Sequence, residues 1–297
     1  MIEIHDLRKR FGKVVAVDGV TFSAAEGRVT GFVGPNGAGK TTTLRALLGL
    51  VAPTAGTATV DGAAFRDLPE PVHQAGAVLE TQAFHPGRTG RNHRRVVCTA
   101  AGIPKGRADE LLTLVGLEGA ARRRVKGYSL GMKQRLCLAT ALLGDPKVLV
   151  LDEPANGLDP EGIRWLRQFL RRLAAEGRTV LVSSHALAEL AQTADDVVII
   201  THGKLVAQAP IAELTARSGT GSLVRSPDVE KLRSALSAAG VEARDCGENA
   251  LAVQAPPEKI GEVAAGAGIV LHELRRQESS LEEVFLELTG GEEARPG

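Results

Sequence analysis

The residues with the plainest chemistry stand together in GPNGAGKTT, Gly34 to Thr42. Gly34, Gly39, Lys40 and Thr41 fit the pattern G-x-x-x-x-G-K-[ST]. Glycines there let successive backbone N–H groups turn inward around phosphate oxygens, where a Cβ would block the approach. Lys40 offers a point charge to the β- and γ-phosphates, and the Thr41 hydroxyl can ligate Mg2+. Pro35, Asn36, Gly37, Ala38 and Thr42 complete the cradle.

Two further groups carry chemistry. KVLVLDEP ends an apolar run in adjacent carboxylates, Asp152 and Glu153. Ligands of parallel sheets gather at the carboxyl ends of strands. Asp152 can therefore face Mg2+ while Glu153 faces an attacking water. TVLVSSH likewise ends a buried strand in His185, at the same expected edge. In YSLGMKQR, Ser129 can cap a helix and Gly131 allows a ligand close to that helix N-terminus. Asp159 with Pro160 opens another helix. Phe11 reads equally as a base-stacking ring or a core residue. The charge run Arg122–Arg124 reads more readily as a solvated face than as a phosphate clamp.

The elements that must position these groups are legible. RVTGFV and KVLVL are near-continuous apolar runs, as central parallel strands are. TTTLRALLGL has a helical apolar face directly after the loop, so the helix dipole adds to anion binding. Ile2 and Ile4 alternate with polar residues, as an edge strand would. The segment His73–Arg95 starts as a strand, AGAVL, then turns polar and reads as a functional loop. Helical patterns follow around Val96–Ala101 and Arg107–Val115.

Composition narrows the class. A net charge of +1 leaves no strong field for nucleic acid or anionic lipid, and aromatics at 3% argue against base-stacking platforms. The three cysteines, Cys98, Cys137 and Cys246, form no C-x-x-C pair and suit a reducing compartment. The charged N-terminus reads as no signal peptide, and no run of ~18 apolar residues occurs. Any membrane span must come from another chain.

Taken together, these motifs resemble the ATP-binding subunits of ABC transporters, over roughly Met1 to Arg217. GPNGAGKTT is similar to the Walker A loop, YSLGMKQR to the L-S-G-G-Q signature, and VLVLDEP to the Walker B strand. NGLD (Asn156–Asp159) corresponds to the D-loop and SSH to the switch histidine. Phe11 falls where that family stacks an aromatic on adenine. Leu130 and Met132 depart from the signature. The Q-loop glutamine falls at Glu80, a carboxylate that can still contact Mg2+ or water, with Gln82 two residues on.

The resemblance implies an α/β fold: an ABC-type P-loop ATPase domain at 1–217, with a helical subdomain at about 82–145. It implies ATP and Mg2+ as ligands, with Lys40, Glu153 and His185 catalytic and Thr41, Asp152 and Glu80 toward the metal. Two copies would meet head to tail, with Ser129, Gly131 and the helix N-terminus behind them completing the partner's ATP site, and Asp159 of the D-loop also counted among the nucleotide-binding residues. A separate permease would dock at Glu80–Arg95, on the cytoplasmic face of the membrane. The ending SSLEEVFLELTG and the Q-loop region are similar to antibiotic-resistance and lantibiotic-immunity exporters. Import, a soluble ATPase acting on nucleic acid or ribosomes, and a drug-sensing regulatory ATPase are the alternatives.

From 218 to 297 the motifs stop and the pattern reads β-α-β-β-α-β, a ferredoxin-like α+β domain. Ser279 and Glu282 then form a capping box for a last helix, Leu281–Leu288, before a frayed tail.

Overall fold

The computed structural model describes residues 1–79, 84–217, 221–247, 249–277 and Phe285. The chain divides into two compact units, Met1–Ala209 and Pro210–Gly297. The division precedes the helix Ile211–Arg217, which the sequence pattern had assigned to the end of the first domain.

The first unit opens with an antiparallel hairpin, β1 (Ile2–Phe11) and β2 (Val14–Ala24). Next come β3 (Val29–Val33), α1 (Lys40–Leu47) and β4 (Ala55–Val60). β4 pairs with the free side of β1, giving a three-stranded sheet in the order β2-β1-β4. β1 is therefore a middle strand, not an edge. Its alternation reports burial of one face, with Ile2, Ile4 and Leu7 in the core, and a strand paired on both sides can still show water its other face.

The second sheet holds β5 (Ala75–Val78), preceded by the short α2 (Pro71–Gln74), and β6 (Val148–Asp152). Among the described residues between those strands are the α-helices α3 (Gly90–Ala100), α4 (Arg107–Leu114) and α5 (Leu130–Ala141). After β6 come α6 (Pro160–Ala175), β7 (Thr179–Ser184), α7 (Leu187–Ala191), β8 (Asp196–Thr201) and β9 (Lys204–Pro210). The strand order is β5-β6-β7-β3-β8-β9. Every residue of β3, β6 and β7 is buried, which is why these strands read as unbroken apolar runs. Parallel pairing aligns Asp152 with Ser183, and Val33 with Ser184. The glycine loop, the carboxylates and His185 therefore leave the sheet at one edge.

α3 begins six residues before Val96, where the apolar pattern starts. Its Thr89 cap accepts from the Asn92 N–H at 3.2 Å, and its first turns bury His93 and Arg94. Buried polar residues hide such a helix from hydrophobic periodicity. α6 is fully legible by contrast: Asp159 caps it, Pro160 opens it, and Leu166, Phe169, Leu170 and Leu173 are its buried stripe.

The second unit contains α8 (Ile211–Arg217), then β10 (Gly221–Arg225), α9 (Val229–Ala238), β11 (Ala243–Gly247), β12 (Ala250–Val253), α10 (Pro257–Gly266) and β13 (Glu273–Gln277). Its sheet runs β11-β12-β10-β13 with antiparallel neighbours, over a separate core including Leu232, Leu236, Leu251 and Ile260. The expected last helix, Leu281–Leu288, lies outside the described residues, apart from Phe285. Among the described residues no helix is long and apolar enough to cross a membrane.

Phe32 on β3 is fully buried and packs on Phe22 of β2, ring centroids 5.0 Å apart, so it joins the two sheets of the first unit. Phe32→Ala should cost about 3–5 kcal/mol of unfolding free energy, measurable by urea denaturation.

Candidate functional site

The loop after β3 is held by backbone contacts that only glycine permits. Gly34 is packed so closely that a Cβ would lie 2.3 Å from the Ile200 carbonyl oxygen. Gly39 has φ +102°, and a Cβ there would lie 2.4 Å from the Ala16 carbonyl oxygen. The Ala38 N–H donates to Pro35 O at 3.1 Å, closing the turn, and the Thr43 N–H donates to Gly39 O at 2.9 Å, starting α1. The turn between β8 and β9 braces the loop from outside: the Gly203 N–H donates to Ala38 O at 3.1 Å, and the Asp18 N–H to Gly203 O at 2.7 Å. The sequence marks His202–Gly203 only as a turn, so this brace is a long-range feature it does not signal. Asn36 and Gly37 remain exposed at the loop tip, while Ala38 is buried and Pro35, Thr41 and Thr42 are half-buried.

Lys40 is only 6% exposed, yet it is well satisfied. Its ammonium donates to Gly34 O at 2.6 Å and Pro35 O at 3.2 Å, and lies 3.6 Å from Glu153 Oε1. The loop thus carries a cation at its centre, held by its own carbonyls.

Asp152 ends β6 and is 8% exposed. The Thr41 hydroxyl donates to Oδ2 at 2.7 Å, and the Ser183 hydroxyl donates to Oδ1. Ser183 Oγ also accepts the Glu153 N–H at 2.9 Å, so one hydroxyl fixes both carboxylate residues. Glu153 has φ +48°, a left-handed backbone that costs on the order of 1–3 kcal/mol in a non-glycine residue. Glu153 Oε2 lies 2.9 Å from His185 Nδ1, while Oε1 faces Lys40. His185 is 48% exposed, so the constellation opens to solvent. Ser183 is the residue that sequence reasoning missed. Its place beside Asp152 depends on β6 and β7 being neighbours in register, which no local sequence signal gives.

Thr41 and Asp152 offer hard oxygen donors, the type that suits Mg2+. Among the described residues no group of three or more His, Cys, Asp and Glu side chains could hold a metal alone.

Ser129, Gly131 and Asp159 form a separate group. Ser129 caps α5, accepting the Met132 N–H at 3.2 Å, and Asp159 caps α6, accepting the Gly162 N–H at 2.8 Å. Both N-termini line one open cleft of about 350 Å3, with Met132 and Gly157 also in its wall. Leu130 fills space against Gly157, where a Cβ would come within 2.3 Å of its Cδ2. Among the described residues no hydrogen bond or ion pair joins this group to Lys40, Asp152 or Glu153 side chains. One turn of backbone connects them: the Asn156 N–H donates to Glu153 O at 3.2 Å.

Phe11 is half-exposed, which removes the core reading, and the Lys9 ammonium sits 4.8 Å from its ring centroid. It pairs with Val14, two residues before the Ala16 carbonyl that abuts Gly39. Glu80 and Gln82 lie outside the described residues.

Comparison with known proteins bears on the family and the fold. The ABC transporter family profile matches residues 17–156, and a domain of unknown function matches 221–282. The chain is 42% identical to the bacitracin transport ATP-binding protein of Bacillus licheniformis, over 73% of this chain and 72% of that protein. It is 37% identical to the Nod factor export ATP-binding protein I of Burkholderia lata, over 98% of this chain and 97% of that one. A solved ATP-binding subunit of an ABC transporter superposes with a TM-score of 0.66 at 28% identity, covering 73% of this chain and 93% of that structure. The chain therefore belongs to the ATP-binding subunits of ABC transporters, and the chemistry of its family is the binding and hydrolysis of ATP.

Proposed function

We propose that this subunit powers an exporter of an antibiotic, a peptide or another hydrophobic compound, bound to a separate permease at the cytoplasmic face of the membrane. Relatives named for bacitracin transport and Nod factor export support that direction. The observation that carries the catalytic reading is the constellation Lys40–Glu153–His185, set beside Asp152 and Thr41 at the carboxyl edge of the parallel sheet.

The roles follow from this chemistry. The loop N–H groups from Asn36 to Thr42 and the N-terminus of α1 receive the phosphates. Lys40 exchanges a carbonyl partner for a β/γ-phosphate oxygen, keeping its charge satisfied throughout. Thr41 and Asp152 would hold Mg2+, which supplies positive charge at the phosphates when bound. Glu153 orients and polarises the attacking water, with His185 fixing its carboxylate and reaching the γ-phosphate. Phe11 stacks on the adenine. Ser129, Gly131 and Asp159 of a second copy close the site from the other side, their helix N-terminus aimed at the γ-phosphate.

Gly39→Ala should weaken nucleotide binding by roughly tenfold or more, because the new Cβ meets backbone at a left-handed φ. Titration with a fluorescent ATP analogue measures this. Glu153→Gln should still bind ATP but turn over roughly 100-fold more slowly or worse. Phosphate release near the wild-type rate would remove Glu153 from its role.

A further inference from the structure

The cleft that holds Ser129 and Asp159 takes its walls from two distant parts of the chain, around the starts of α5 and α6. Among the described residues no hydrogen bond or ion pair joins those two helices. Side-chain packing joins them instead. Behind the caps, the Arg135 guanidinium of α5 lies over the ring of Trp165 of α6, its central carbon 4.2 Å from the ring centroid. That is a cation–π distance, on the aromatic ring that attracts cations best. Arg135 Nη1 also donates to Val115 O at 3.3 Å, a carbonyl at the C-terminal end of α4. Among the described residues no carboxylate comes within ion-pair distance of Arg135. Trp165 is supported in turn by Phe169, the two rings stacked at 17° with centroids 5.0 Å apart.

The spacing gives this contact a use. Arg135 stands six residues after Ser129, and Trp165 six after Asp159. At 1.5 Å per residue, each lies about 9 Å along its helix from the cap. A contact at equal depth on two helices that start at one cleft sets how their N-termini stand to each other. We propose that Arg135 and Trp165 are positioning residues for ATP hydrolysis, a brace that holds the Ser129 and Asp159 ends as one surface for the ATP of a second copy. The inference rests on the shared site proposed above and adds the contact that keeps its donor half in shape. A planar guanidinium over an indole is fixed in direction, which a lysine ammonium is not. Among the described residues neither side chain bonds to Lys40, Asp152 or Glu153, so the brace serves the other copy's site and not its own.

The test uses the full-length chain. Trp165→Leu should lower ATP turnover roughly tenfold, while Trp165→Phe, which keeps an aromatic face, should retain most of it. Arg135→Lys should lose nearly as much as Arg135→Gln, because the charge remains but the plane is gone. Each variant should bind a fluorescent ATP analogue as wild type does, since its own loop is untouched. The decisive arm mixes Trp165→Leu with Lys40→Ala and isolates mixed dimers by two different tags. One site then joins an intact Lys40 half to an intact brace, so turnover should rise well above that of either homodimer. Arg135→Gln carries the same mixing test should loss of the indole lower thermal melting. Near-wild-type turnover by folded Trp165→Leu and Arg135→Gln overturns the inference. So does a mixture that stays inactive while Ser129→Arg with Lys40→Ala regains turnover, which leaves the shared site standing. If neither mixture regains turnover, the shared site falls and the inference with it.

Discussion

The Asp152 carboxylate is the point on which the first unit's chemistry depends. It is nearly buried and takes one hydroxyl from the loop helix, Thr41, and one from the neighbouring strand, Ser183. A buried carboxylate without such donors would carry a large desolvation cost. With them, it ties β6 to β7 and both to the start of α1. Ser183 extends the tie by holding the Glu153 N–H, at the residue where the backbone turns left-handed. Glu153, fixed in this way at its backbone, meets Lys40 with one carboxylate oxygen and His185 with the other.

The same connection ends in a gap. Glu153 leads through one turn to Asn156, then to Asp159 at the cap of α6. There the chain presents two helix N-termini, of α5 and α6, to an open cleft. These ends offer N–H donors to an anion, while the anion's loop and lysine belong to the other cluster. In the proposed mechanism a second copy brings the two kinds of half-site together. The backbone from Glu153 to Asp159 then couples chemistry in one site to the geometry of the other.

Much of this was legible in the sequence because short-range rules govern it. The glycine loop, the strand-terminal carboxylates, the Ser129 and Asp159 caps and the apolar strands are local patterns with local causes. What escaped was long-range or hidden by polarity. The pairing of β1 on both sides depends on β4, some fifty residues away. The start of α3 is masked because His93 and Arg94 are buried polar residues, Arg94 donating to carbonyls of α5. The brace of the loop by Gly203 and the double role of Ser183 exist only once the sheet order is known. The second unit's strand and helix order was readable from periodicity, whereas nothing in that pattern carries chemistry.

The most direct test of a site shared between two copies mixes two inactive variants, Lys40→Ala and Ser129→Arg. Each alone spoils both sites of its homodimer. A mixed dimer keeps one intact site, with Lys40 from one copy and Ser129 from the other. ATP hydrolysis should therefore reappear on mixing, to a substantial fraction of the wild-type rate. A mixture as inactive as its components, with mixed dimers demonstrated by differential tagging, would contradict the shared site.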